Sequence, residues 1–308
     1  MKIVAALGGN ALLRRGEPPT LETQRYNVRR AARALAALAR EHTLVITHGN
    51  GPQVGLLALQ SAQADGTPAP LDVLGAETEG LIGYLLEQEL GNALATRNIA
   101  TVLTRTEVRA DDPAFQRPTK FIGPVYTQEQ SARIAAERGW RFAADGNCWR
   151  RVVPSPEPCD IVECNAIEHL ERGGFVVICA GGGGIPVVRT ADGTLEGVEC
   201  VIDKDLAADL LARRIGADRL LLLTDVPAVF DAWGTARSRR IRAADPDALA
   251  GLQFPAGSMG PKVEAARRFA LHSGGYAHIG GLDDAVAMLQ GDAGTCISTD
   301  VRGITFAR

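Results

Sequence analysis

Short apolar runs, each about the length of one strand, alternate along this chain with segments whose apolar residues recur at helical spacing. Ile3–Leu7, Thr43–Thr47, Ala100–Leu103, Phe175–Cys179, Cys200–Ile202 and Leu220–Leu223 read as buried strands. Val54–Ala64, Glu77–Glu89, Leu206–Ile215 and Val263–Leu271 read as helices, the first three with apolar residues at i, i+3 and i+4. A parallel strand pair needs a crossover long enough to hold a helix, so this alternation predicts an α/β fold with a mainly parallel sheet covered on both faces. The chain has 308 residues. That length suits either one large domain or two lobes built on one sheet.

The rhythm breaks between about Asp111 and Pro158. Six prolines (Pro113, Pro118, Pro124, Pro154, Pro156, Pro158) are interleaved there with Phe115, Phe121, Tyr126, Trp140, Phe142 and Trp149. So many aromatic rings argue against a disordered linker and for an inserted subdomain or lid, in preference to one long structural loop.

Three glycine-rich turns follow strands: Leu7-Gly8-Gly9-Asn10, His48-Gly49-Asn50-Gly51-Pro52 and Ala180-Gly181-Gly182-Gly183-Gly184. In an α/β sheet the carboxyl ends of the strands are where ligands bind, and glycine there lets backbone N–H groups approach an anion. One such turn is usually only a turn; three in one chain favour an anion site. The familiar phosphate loops do not fit. No Gly-Lys dipeptide occurs, which excludes a Walker A loop, and Gly181–Gly184 runs into Ile185-Pro186 without the third glycine of a dinucleotide fingerprint. The His-Arg-Asp and Asp-Phe-Gly signatures of protein kinases are missing too.

Charge narrows the class further. The formal net charge is −3 with a pI near 6.0, giving no electrostatic case for nucleic acid or a membrane surface. No apolar stretch is long enough for a membrane span, and the first residues do not read as a signal peptide. Six cysteines (Cys148, Cys159, Cys164, Cys179, Cys200, Cys296) form no metal-binding spacing, so reduced thiols in the cytoplasm and no protein-held metal are expected.

Of 33 basic residues only four are lysine: Lys2, Lys120, Lys204 and Lys262. Lys204 precedes the helix predicted from Leu206, and Lys262 follows Gly260-Pro261 at the start of another. A cation at a helix N-terminus is disfavoured by ~0.3–1 kcal/mol, and a bound polyphosphate reverses that sign. Two solvated lysines tolerating a small penalty is the plainer alternative. Asp205 is placed to orient both lysines, or is simply a first-turn acid. Lys120 sits in the aromatic insertion between Pro118 and Pro124, on a stiffened loop that could close over an anion.

These same segments resemble the carbamate kinases of the amino-acid-kinase superfamily. The resemblance is carried by VAALGGNAL (Val4–Leu12), THGNGPQVG (Thr47–Gly55), PAFQRPTKFIGPVY (Pro113–Tyr126) and WRRVVPSP (Trp149–Pro156). AGGGGIPVV (Ala180–Val188), GVECVIDKD (Gly197–Asp205), LTDVPAV (Leu223–Val229) and PAGSMGPKVEAA (Pro255–Ala266) complete it, in family order and nearly end to end. It implies a single amino-acid-kinase domain over residues 1–308, an open αβα sandwich with a small protruding lid subdomain at about 111–158. Residues 1–200 would form an N-terminal lobe for carbamate or carbamoyl phosphate, and 201–308 a C-terminal lobe for ATP or ADP. Lys204 and Lys262 would contact the phosphates in flight, oriented by Asp205, with Lys120 arriving from the lid. Asn10, Gly8, Gly9, Gly49, Asn50, Gly51, Gly181, Gly182 and Gly183 would bind the acceptor and transferred group, and Thr224, Asp225, Val229 and Met259 would lie near the nucleotide.

The resemblance further implies Mg²⁺ carried on the nucleotide, a homodimer, a cytoplasmic role in arginine metabolism and a reaction often run toward ATP synthesis. Related kinases acting on acetylglutamate carry a catalytic lysine where this chain has Ala6; carbamate kinases lack it, with Lys204 taking over that charge. Another small-acceptor kinase of the superfamily, or a non-catalytic binder on the same fold, is the alternative. Two departures stand out: a shortened Asp145–Trp149 segment, and Pro227 where an acidic residue is common.

Overall fold

Five of the six expected strands lie side by side in one sheet. In the computed structural model, which describes all residues except 14–16, 19, 62–67, 256 and 308 and the side chains at 10 and 11, a ten-stranded sheet runs through the molecule. In chain order its strands are Lys2–Leu7 (β1), Thr43–His48 (β2), Ile99–Thr101 (β3), Val176–Ile178 (β4) and Arg219–Thr224 (β5). Phe230–Asp231 (β6), Arg239–Ala244 (β7), Tyr276–Gly281 (β8), Thr295–Ile297 (β9) and Ile304–Phe306 (β10) follow. The spatial order is β6-β7-β9-β8-β5-β1-β2-β4-β3, with β10 also on β7. From β8 to β3 every pairing is parallel; β9 is antiparallel to β8.

The helices that matter here are Gly9–Leu12 (α1), Leu21–Glu41 (α2), Gly51–Ser61 (α3), Leu71–Ala93 (α4), Lys204–Arg214 (α5) and Met259–Ser273 (α6). Every residue from Ile3 to Leu7 is fully buried, as expected of a strand covered on both faces. Alternation along β1 decides which cover each side chain meets. Ile3, Ala5 and Leu7 pack with Leu35 of α2 and Leu86 of α4, whereas Val4 and Ala6 pack with Leu211 of α5 and Phe269 of α6. Among the described residues no helix is long and apolar enough to cross a membrane.

Three segments differ from expectation. Cys200–Ile202 is not a strand. It is an extended lead into α5, tied by the Val201 N–H to the Pro154 carbonyl at 3.0 Å. Its apolar character reflects burial: Cys200 and Ile202 pack with Val108 and Ala207 in a small separate core. The predicted Val54–Ala64 helix appears as α3, with 62–64 outside the described residues. Helix α2 was not anticipated. Its buried stripe (Val28, Ala31, Ala32, Leu35, Leu38, Ala39) lies opposite exposed Arg25, Arg29, Arg33 and Arg40, and Thr20 caps it by accepting the Thr23 N–H at 3.2 Å.

The proline-rich stretch contains a three-stranded antiparallel sheet, Lys120–Tyr126, Cys148–Val153 and Arg141–Asp145, crossed by the helix Gln128–Arg138. The short Asp145–Trp149 segment is a tight hairpin there: Asp145 pairs with Cys148, and Gly146 takes φ 63°. Strand Lys120–Tyr126 packs on α3 through Gly55 and Gly123. The contact is so close that a Cβ on Gly55 would lie 1.9 Å from the Gly123 Cα.

Candidate active site

Because β1, β2, β4 and β5 are parallel neighbours, the turns that follow them emerge at one edge of the sheet. Gly8 and Gly9 leave β1, Gly49 to Gly51 leave β2, Gly181 to Gly183 follow β4, and Thr224 and Asp225 close β5. β1 lies between β2 and β5, so this edge includes the point where the chain switches direction across the sheet. A Cβ on Gly49 would sit 2.9 Å from the Gly9 nitrogen and 3.3 Å from the Lys204 Cδ. At Gly182, with φ 67°, it would sit 2.1 Å from the Asn50 amide nitrogen. Three turns and a lysine distant in sequence therefore meet with no room for a side chain at Gly49 or Gly182.

Asp203 starts α5. Its Oδ1 accepts the N–H groups of Asp205 (2.9 Å) and Leu206 (3.4 Å), and its Oδ2 accepts from Lys120 of the insertion. Two residues on, Asp205 bridges two ammonium groups: Lys204 Nζ is 2.5 Å from Oδ1 and Lys262 Nζ, from α6, is 3.1 Å from Oδ2. Asp205 is 3% exposed. Burial works to raise its pKa, but Lys204 and Lys262, with Lys120 behind them, hold the carboxyl well below the ordinary range. Burial lowers Lys204, opposed by Asp205 and reinforced by Lys262. Lys262 ends raised, because Asp205 outweighs the burial that pulls it down. Three ammonium groups against two carboxylates leave a cationic cluster that suits an incoming anion.

Two cavities meet at this cluster. A cleft of about 630 Å³ is lined by Gly9, Gly49, Asn50, Gly51, Gly182, Lys120, Lys204, Asp205 and Lys262. A neighbouring pocket of about 300 Å³ is lined by Gly8, Gly9, Thr224, Asp225, Met259 and Lys262, with apolar walls from Phe230, Trp233 and Phe254. Gly9 and Lys262 belong to both, so they stand at the junction.

The other predicted residues sit as follows. Val229 is fully buried in the core, its N–H donated to Thr295 Oγ1 at 2.9 Å, while its neighbours Ala228 and Phe230 form the pocket wall. Gly181 and Gly183 lie behind Gly182, their N–H groups donated to Glu79 (2.8 Å) and the Ala180 carbonyl (3.1 Å). Asn10 belongs to α1 by its backbone, and its side chain lies outside the described residues. Pro227 is exposed.

Sequence reasoning passed over Arg150, Thr119 and Ser155 of the cleft and Phe230, Trp233 and Phe254 of the pocket. Arg150 had a usable signal, being in the arginine pair ahead of Val152-Val153-Pro154. Trp233 had none beyond being a large ring in a polar stretch. His48, the nearest base candidate, is fully buried; burial, with Lys204 adding, lowers it to about 4 against a bond to the Gly49 carbonyl. It is therefore neutral at pH 7 and shut away from solvent.

Comparison with known proteins points one way. The profile described as the amino acid kinase family matches residues 1–281. A carbamate kinase of Rhizobium meliloti is 56% identical over 310 residues, covering 99% of this chain and 96% of that one. The carbamate kinase of Pyrococcus furiosus is 46% identical over 308 residues, covering 96% and 98%. Among solved structures, carbamate kinase from Giardia lamblia bound to AMP-PNP superposes with a TM-score of 0.87 at 40% identity, covering 96% of this chain and 98% of that one.

Proposed function

The chain belongs to the amino acid kinase family and works as an ATP-dependent carbamate kinase, and from that premise we propose that the three-lysine cluster is where a phosphoryl group passes between ATP and carbamate. The reaction is ATP + carbamate ⇌ ADP + carbamoyl phosphate. The observation that carries the assignment is Asp205 holding Lys204 and Lys262 at the junction of two cavities.

The nucleotide base and ribose take the pocket walled by Phe230, Trp233, Phe254 and Met259, beside Thr224 and Asp225, with the phosphates directed at Lys262 and Lys204. The acceptor takes the cleft, against Gly9, the Gly49–Gly51 turn and Gly182, with Asn10, next to Gly9 in sequence, joining them. Residues 1–200 thus serve the acceptor and 201–308 the nucleotide, and the insertion at about 111–158 acts as a lid that brings in Lys120. Phosphoryl transfer spreads charge over the equatorial oxygens, and fixed ammonium groups stabilise that charge without reorganising. Asp205 keeps both lysines in place between turnovers. Carbamate oxygen is already anionic, so no general base is needed, and the buried neutral His48 is not asked to serve as one.

Among the described residues no three His, Cys, Asp or Glu side chains converge as a metal cage. Mg²⁺ would come with the nucleotide, whose phosphates face Lys204 and Lys262, and would supply neutralisation of phosphate charge there. We take the enzyme to act as a homodimer in the cytoplasm, within arginine metabolism, and to run toward ATP synthesis.

The test is ATP formation from carbamoyl phosphate and MgADP, read through a coupled assay. Wild type should turn over, and Lys204→Ala and Lys262→Ala should each lower kcat by about 10²–10³-fold. Phosphorylation of another small acceptor with no ATP from carbamoyl phosphate overturns the acceptor. Unchanged turnover in both variants overturns the site.

A further inference from the structure

Behind the glycine turn that follows β4 lies a buried carboxyl that the transfer chemistry never touches. Glu79, on α4, is 1% exposed. Its Oε1 accepts the Gly181 N–H at 2.8 Å and its Oε2 accepts the Thr104 N–H at 3.2 Å. The Thr104 hydroxyl oxygen accepts the Ala180 N–H at 2.9 Å and donates to the Val102 carbonyl at 2.7 Å. One side chain thereby ties α4, the segment after β3 and both residues that enter the turn. Inside the turn, the Gly183 N–H goes to the Ala180 carbonyl (3.1 Å) and the Gly184 N–H to the Gly181 carbonyl (3.0 Å). Gly182 is the member that faces the cleft.

We propose that Glu79 is a positioning residue for the acceptor: by holding Gly181 directly and Ala180 through Thr104, it aims the Gly182 peptide at the acceptor anion. This rests on the acceptor-side assignment of the cleft made above. The turn needs such an anchor because Ala180, Gly182, Gly183 and Gly184 all have positive φ (48°, 67°, 101° and 89°), a backbone that persists only where its surroundings fix it. A carboxyl offers two accepting oxygens at the distance of two backbone donors, and no other proteinogenic side chain of that length does so without also presenting an amide donor.

The charge on that carboxyl matters for an anion site. Around Glu79 stand His48 from β2, Glu163 at the start of the helix Cys164–Arg172, and Cys179 at the end of β4. His48 is neutral there, with Lys204 on its far side. Burial pushes Glu79 up to about 8, with the Gly181 and Thr104 amides pulling the other way and Glu163 adding to the rise. Below that pH the carboxyl is neutral: its carbonyl oxygen remains a full acceptor for one of the two N–H groups, and the protonated oxygen accepts the other only weakly. Above it, a full negative charge sits directly behind the turn that receives the acceptor.

The experiment compares wild type, Glu79→Gln and Glu79→Ala for the KM of carbamoyl phosphate and of ADP between pH 6.5 and 9.5. Wild type should show an acceptor KM that rises above pH 8, toward about tenfold by the top of the range, with the ADP KM flat. Glu79→Gln keeps an oxygen for Gly181 but sets its NH₂ against the Thr104 N–H and cannot ionise; its acceptor KM should rise less than that of Glu79→Ala at pH 7 and lose the alkaline rise. Glu79→Ala should raise the acceptor KM about tenfold or more at pH 7, leaving the ADP KM within about twofold.

An alkaline rise retained in Glu79→Gln overturns the proposal. So does a folded Glu79→Ala enzyme whose two KM values are unchanged or shift alike. If the alanine variant does not fold, the glutamine pH profile decides. Failure of wild type to make ATP from carbamoyl phosphate instead sinks the acceptor assignment, a different result from any ratio between variants.

Discussion

Replacing Asp205 with Asn tests the centre of the site at nearly constant volume. The carboxylate is 3% exposed and meets Lys204 at 2.5 Å and Lys262 at 3.1 Å. Asparagine keeps one accepting oxygen and turns an NH₂ donor toward an ammonium group, so two buried cations lose their shared counter-charge. Breaking a buried ion pair by removing one partner costs about 3–5 kcal/mol, because the remaining charge stays desolvated. For a domain of this size each kcal/mol moves Tm by about 2 °C, which gives a fall of about 6–10 °C. The sign with pH is fixed by the depressed pKa of Asp205: its contribution is present above the ordinary carboxylate range and lost only as pH falls below it. Neutral buffer therefore shows the whole effect.

A bound polyphosphate returns negative charge to the two lysines. Asp205→Asn should thus gain more Tm from ADP than wild type does, while kcat falls about 10²-fold through misplaced ammonium groups. Thermal unfolding with and without nucleotide, beside the coupled assay, measures both. A ligand-free variant that melts within about 2 °C of wild type, or gains no more than wild type from ADP, refutes the reasoning.

Three other changes probe different parts of the molecule. Gly55→Ala would drive a methyl to 1.9 Å from the Gly123 Cα, and backbone cannot yield as a side chain can. It should cost about 1–3 kcal/mol and shift the Lys120 strand enough to weaken turnover about 10²-fold. Gly75→Ala, with nothing within 4 Å of its added Cβ, should by contrast be neutral or stabilising by up to about 1 kcal/mol in denaturant titrations. His278 on β8 is 4% exposed and lowered to about 4 by burial, with Arg219 adding. A depressed histidine stabilises fully above its unfolded pKa and loses that contribution as pH drops from about 6.5 to about 4. His278→Leu should therefore reduce the stability lost between pH 7 and pH 5 by about 2 kcal/mol, and an unaltered pH slope refutes it.

Much of the architecture was legible locally. Ile3–Leu7, Leu220–Leu223 and the middle of Thr43–Thr47 are apolar on both sides because both faces of a parallel sheet are covered, and all three are strands. Cys200–Ile202 has the same pattern and is not a strand, because a short apolar run reports burial rather than hydrogen-bonding partners. Helix α2 was legible too and was passed over: its buried Val28, Ala31, Leu35 and Ala39 recur at helical spacing opposite exposed Arg25, Arg29, Arg33 and Arg40. The site divides in the same way. Lys204, Lys262, Asp205 and the glycine turns can be singled out in the sequence because helix starts and tight turns leave local marks.

Tertiary structure decided everything that depends on bringing remote segments together. Nothing in the spacing of Lys120, Lys204 and Lys262 shows that the first pairs with Asp203 while the other two share Asp205. Nor does the sequence around Glu79 show that its oxygens reach Gly181 and Thr104, since a glutamate inside a helix reads as an exposed one. Valine at position 229 sits beside the pocket wall yet points into the core, a matter of which side of the chain the sheet presents. Propensity, capping and periodicity act over a few residues, so they write strands, helix starts and turns into the sequence. Charge pairing, pKa and cavity shape arise where chain segments far apart in sequence exclude water together, and only the fold sets which segments those are.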